Sequence, residues 1–138
     1  MKMLLAVDGS ETSLQAVRHA LALVAQGLQA SFVLANVQAP PNLYEVVTAH
    51  DPEVLREVRG AAGADLLAPA EALLDAAGVD YESEVAGGEP ANLLVELAEN
   101  YGCDAIVLGA GENVAVAVVA SSPVPVTVVP GPDPDAAL

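Results

Sequence analysis

The sequence predicts an open, doubly wound α/β fold: five parallel strands in the order 3-2-1-4-5, with helices on both faces. Three observations predict it. Short apolar runs alternate with segments of helical periodicity along the whole chain, as expected for parallel strands covered on both sides. The runs are bounded by turn-forming clusters such as Asp8-Gly9-Ser10 and Gly87-Gly88-Glu89-Pro90, which end strands and start helices. Residues 104–129 read as strand, glycine turn, short helix and strand, with fifteen residues between Leu108 and Val124. That is just above the roughly 10–12 a parallel crossover needs.

Lys2 to Val7 is the first strand, mostly apolar and closed by the Asp8-Gly9-Ser10 turn. From Thr12 to Gln26, Leu14, Val17, Leu21 and Val24 recur at three- and four-residue spacing before Gly27, which marks the first helix and its C-terminal cap. Ala30 to Val37 is the second strand, stopped by Pro40 and Pro41. Residues 42–49 read as a loop or short helix in a long connection, the kind of segment that often carries function. Asp51-Pro52-Glu53 opens the second helix with a cap, a first-turn proline and an acidic residue. It is expected to run to Ala77, with a break or kink near Gly60 to Gly63 or at Pro69.

Val79 to Val85 alternates as an edge strand should, with Val79, Tyr81, Ser83 and Val85 on one face. Ala91 to Asn100 places Leu93, Leu94, Leu97 and Ala98 on one face of the third helix. Ala105 to Leu108 is apolar throughout, as suits a central strand. Asn113 is a candidate cap for a helix through the Val/Ala-rich stretch from Val114, which is apolar all round and also reads as strand-like or irregular. Val124 to Val129 is the last strand, with Val124, Val126 and Val128 on one face and Thr127 and Val129 on the other. Residues 1–130 are expected to form one domain and 131–138 a flexible tail.

Composition narrows the function classes. Four Lys and Arg against nineteen Asp and Glu leave a net charge of −15, so nucleic acid and anionic membrane are poor partners. After Arg59 there are thirteen acidic groups and no Lys or Arg. No apolar stretch approaches the ~20 residues of a membrane span, and no signal-peptide pattern opens the chain; a cytoplasmic protein starting at Met1 is expected. Cys103 is the one cysteine; it reads as a structural thiol, and no zinc-ligand spacing occurs.

In the order 3-2-1-4-5 the chain reverses between the first and fourth strands, and ligands bind at the carboxyl ends on either side of that point. The residues placed there are Val7, Asp8, Gly9, Val37, Gly109, Gly111 and Asn113. Asp8 is the first candidate for a ligand contact, its alternative being a turn and helix-entry residue. The run GAGENV is not a dinucleotide fingerprint, because the third glycine and the acidic residue ending the second strand are absent. Ser10 and Ser13 have no evident base, and His19 and His50 read as surface residues. No catalytic residue is expected.

These residues resemble the universal stress protein family. The likeness runs from LLAVDGSETSLQAVRHAL, with Ser13, Ala16 and Ala20 on the first helix, through VAGGEPANLLVELAENYGCDAIVLGAG to SSPVPVTVVP. It covers nearly the whole chain. The resemblance implies a Rossmann-like sheet of the adenine nucleotide α-hydrolase-like type, a role in stress response, and homodimers joined through the last strand. In many members it also implies ATP in the crevice between strands 1 and 4, with Asp8 at ribose or adenine. Nucleotide-binding members carry a longer loop after strand 4: glycine, two residues, glycine, nine residues, then Gly-Ser or Gly-Thr. Here Glu112-Asn113 falls where that last pair would stand, and the preceding stretch is shortened. Gly109 survives from the motif, while Gly111 is either its second glycine or part of the shortened turn.

A triphosphate needs several donors or cations, and the short loop offers few amides, no Lys or Arg, and the carboxylate of Glu112. The expectation is therefore a homodimeric interaction or regulatory module without tight ATP binding and with no cofactor, joined through strand 5 at Val124, Val126 and Val128. Its protein partner is unidentified. The alternative is ATP held with Mg²⁺, which can bridge phosphates and a carboxylate such as Asp8.

Overall fold

The computed structural model describes residues 1–39, 51–111 and 113–132 of the chain. They form β1 (Lys2–Ala6), α1 (Glu11–Ala25), β2 (Ser31–Gln38), α2 (Pro52–Ala77), β3 (Tyr81–Gly87), α3 (Pro90–Asn100), β4 (Ala105–Gly109), α4 (Asn113–Ser121) and β5 (Val126–Val129). The sheet order is β3-β2-β1-β4-β5, as expected, and every pairing is parallel. β1 lies between β2 and β4, with Leu5 opposite Leu34 on one side and Val107 on the other.

Alternation along the strands divides the core in two. Met3, Leu5, Val7, Phe32, Leu34 and Val107 face α1 and α2, where they meet Ala16, Val17, Leu67 and Leu74. Leu4, Val33, Ala35, Ile106 and Leu108 face α3 and α4, where they meet Leu94, Leu97, Ala115 and Val118. Burial of each such large side chain contributes about 1.5–3 kcal/mol. Cys103 belongs to the second core; burial pushes its thiol pKa up, with Lys2 opposing and Asp104 and Glu82 reinforcing the shift.

Several expectations need correction. The second helix runs from Pro52 to Ala77 without a break, with Pro69 inside it. Gly63 is there for packing: a Cβ on it would lie 2.5 Å from Val85 Cγ1 and 2.9 Å from Asn36 Oδ1, so its absence lets the helix settle onto β2 and β3. Pro69 sits on the exposed side, where the carbonyl it leaves without a donor can be hydrated. Asn113 lies inside α4 as its first residue rather than before it as a cap.

The Val/Ala-rich stretch is a helix, yet only Ala115 and Val118 are buried in it, while Val116 is 71% and Val119 54% exposed. A helix can turn only one face to a sheet, so apolar residues on the other face remain in solvent. The last strand begins at Val126, not Val124, which sits in a turn held by the Ser122 hydroxyl. Residues 40–50, 112 and 133–138, which include His50, Glu112 and most of the expected tail, lie outside the described residues.

Candidate functional site

The crevice expected at the switch point is present. It is a cavity of about 540 Å³ at the carboxyl ends of β1, β2 and β4, within the range of small-molecule sites. Apolar side chains dominate it: Val7 and Val37 from the strand ends, Pro90 and Leu94 from α3, Leu108 from β4, and Val114 and Ala115 from α4. Its polar side chains come from the β1–α1 turn, Asp8 and Ser10, and from the first turn of α1, Thr12 and Ser13.

Of the residues singled out in the sequence, Val7, Asp8, Val37, Gly109 and Gly111 line the cavity; Gly9 and Asn113 do not. Gly9 has φ of +88°, and a Cβ there would strike Leu66 Cδ2, so its place is under α2. Gly109 is also a close-approach residue. A Cβ on it would come within 2.6 Å of Thr12 Cγ2 and 2.9 Å of the Thr12 carbonyl. Thr12, Pro90, Leu94, Val114 and Ala115 were not anticipated as lining residues. Pro90 alone carried a signal, standing at the start of α3, which the fold brings to the same end of the sheet.

The turn at Asp8 is closed on itself. Ser10 N donates to Asp8 Oδ1 at 2.9 Å, Ser13 N to Ser10 Oγ at 3.1 Å, Ser13 Oγ to Ser10 O at 2.9 Å, and Asp8 N to Ser13 Oγ at 3.4 Å. Burial raises the pKa of Asp8, but the Ser10 hydroxyl and amide, the Ser13 hydroxyl and its own amide together hold it below the ordinary value. Asp8 therefore presents a carboxylate at neutral pH.

After β4, the amides that a phosphate would need point elsewhere. Ala110 N donates to Val129 O at 2.7 Å, and Gly111 N donates to Gly109 O at 2.8 Å in a tight i to i+2 turn. No Lys or Arg lines the cavity among the described residues. The Ala110 and Gly111 amides and the Ser13 hydroxyl are thus engaged internally, and the one charged side chain lining the cavity among the described residues, Asp8, is negative. Nor do the described residues hold any group of three or more His, Cys, Asp or Glu able to bind a metal ion.

The sequence model of the universal stress protein family matches residues 1–130. The chain belongs to the universal stress protein family. Among solved structures, a universal stress protein family member from Burkholderia pseudomallei is 26% identical, with 94% of this chain and 96% of that one covered and a TM-score of 0.75. The universal stress protein UspA from Lactobacillus plantarum is 22% identical over 94% and 97% of the two chains, with a TM-score of 0.76. A family member from Arabidopsis thaliana, solved with AMP bound, is 18% identical over 99% and 94%, with a TM-score of 0.74. No protein of curated function matches the chain significantly. Like other universal stress proteins it has the Rossmann-like α/β sheet, and no helix among its described residues is long and apolar enough to cross a membrane.

Proposed function

We propose that this universal stress protein is a homodimeric interaction or regulatory module of the stress response that does not bind ATP tightly and catalyses no reaction of its own. The observation that carries the reading is the inward use of the Ala110 and Gly111 amides. Without them, and without a cation, a bound triphosphate would trade its hydration for a carboxylate neighbour. No His, Cys or Lys lines the crevice among the described residues, and its one carboxylate, Asp8, is a weak base because its hydrogen bonds hold its pKa below the ordinary value.

A second reading, Mg²⁺-dependent adenine nucleotide binding, draws on the ionised Asp8, on the largely apolar cavity, and on the AMP found in the Arabidopsis relative. Thermal unfolding separates the two. Ligand at about a hundred times its dissociation constant adds roughly 2.7 kcal/mol, which moves the midpoint of a domain this size by several degrees. The expected result is an unchanged midpoint when millimolar ATP is added to protein already in Mg²⁺. A rise of several degrees would replace the first reading by the second.

A further inference from the structure

A second cleft lies at the opposite side of the sheet's carboxyl end. It holds about 460 Å³ and is lined by Leu55, Arg56, Arg59 and Gly60 of α2, by Gln38, and by residues 85–88 of β3 and the turn after it. It shares no lining residue with the first crevice. Two of the four cations of the chain stand in it, and none of its lining residues is Asp or Glu. In a chain of net charge −15, that local reversal of sign is the first observation.

The second is that the cleft is built. Gln38 Nε2 donates to Asn36 Oδ1 at 3.3 Å and to Arg59 O at 3.0 Å, and Asn36 Nδ2, fully inside, donates to Val7 O at 2.9 Å. Arg59, which lines the cleft, is also anchored by a hydrogen bond from its Nη2 to the carbonyl of Ala39, a residue of the first crevice. Gly88 N donates to Gln38 O at 2.8 Å, fixing the floor. Gly63 draws α2 down at this point by removing the Cβ that would strike Val85 and Asn36.

The third is Arg56. It is exposed, one helical turn from Arg59, and makes no ion pair with any described residue, unlike Lys2 with Glu82 and Arg18 with Glu11. Fork-shaped guanidinium groups recognise planar or tetrahedral oxyanions through paired N–H bonds. Beside them Leu55, Val85 and Ala86 supply an apolar wall. Glu53 and Glu57 share α2 with Arg56, and Glu89 follows Gly88; carboxylates farther off than the ~8 Å Debye length of physiological salt are screened.

We propose that this cleft is a second binding site, for a small organic oxyanion with an apolar body, either a carboxylate or a phosphate monoester. Arg56 and Arg59 bind the oxyanion, and the Leu55–Val85–Ala86 wall takes the apolar part.

The test is an amide-resolved NMR titration of the full chain at constant ionic strength, with phenyl phosphate, with benzoate, and with benzyl alcohol as a neutral control. The expected result is saturable shifts at Gly60, Gly87 and Gly88 with one or both anions, the stronger of the two naming the source of the oxyanion. Arg56→Gln, an exposed change whose fold the same spectra verify, should weaken binding by about fivefold or more. Four results would each overturn the site: no saturable shift with either anion; shifts confined to residues 8–13 and 109–111, which would place binding in the first crevice; equal shifts with benzyl alcohol; or unchanged affinity in Arg56→Gln.

Discussion

Gly109 and Gly111 are two residues apart and look alike in the sequence, yet their surroundings differ. A Cβ on Gly109 would enter the space of Thr12, backbone included, whereas nothing lies within 4 Å of one on Gly111. Gly109→Ala is therefore expected to destabilise the protein by about 1–3 kcal/mol through overpacking, and Gly111→Ala to leave the urea midpoint nearly unchanged. Equal midpoints for the two variants would refute the close approach of β4 to α1. Asp8 supports a prediction of a different kind. Its carboxyl titrates below the ordinary 3.8 in the folded chain, so ionisation favours folding: the contribution is present above about pH 3.8 and is lost as pH falls through the folded value. The stability difference between the natural protein and Asp8→Asn should be constant from neutral pH to about 5 and shrink on further acidification. A difference that grows in acid would contradict the assigned shift.

At the level of elements, α2 and α4 show how composition misleads when a residue's neighbours are unknown. Gly60, Gly63 and Pro69 suggest a broken helix, but one helix forms because Gly63 faces the sheet and Pro69 faces water. Proline in a helix interior costs about 3 kcal/mol, so Pro69→Ala, an exposed change, is expected to raise stability by about 1–3 kcal/mol. A fall in the thermal midpoint would show that Pro69 is packed or needed for the helix to bend. In α4, the uniform apolar character of residues 114–119 hides a division between the buried pair Ala115 and Val118 and the exposed Val116 and Val119. That exposed face has no cover within the described chain.

The whole molecule places its two sheet edges in different electrostatic settings. β3 carries Glu82 and Glu84, with Glu82 near Lys2 and Glu84 accepting from the Tyr101 hydroxyl; charge on an edge strand discourages pairing with another chain. β5 is the other edge, and residues 113–132, which contain it and α4, include no charged side chain. With Val128 40% exposed and Val116 and Val119 of α4 also in solvent, two chains of charge −15 can meet along this stretch without opposing carboxylates. A dimer through β5 is part of the function proposed above, and Val128→Asp combined with Val116→Asp should convert it to a folded monomer in light scattering. A natural protein that is monomeric at micromolar concentration would remove that part of the proposal.

The strands, α1 and α3 were legible in the sequence because each rests on local pattern, namely apolar runs, three- and four-residue spacing, caps and turns; the sheet order and the crevice followed from the doubly wound class that this alternation implies. Val7, Asp8, Val37, Gly109 and Gly111 could be placed at the crevice from the strand ends alone. What only the tertiary structure decided was where groups distant in sequence meet. The Ala110 amide is spent on Val129, Gly9 lies under Leu66, Gly63 admits α2 to the sheet, and Arg56 and Arg59 come to face residues 85–88. Periodicity tells which side of an element is buried. It does not carry the destination of a hydrogen bond or the distance between two backbones, which are set by partners many residues away.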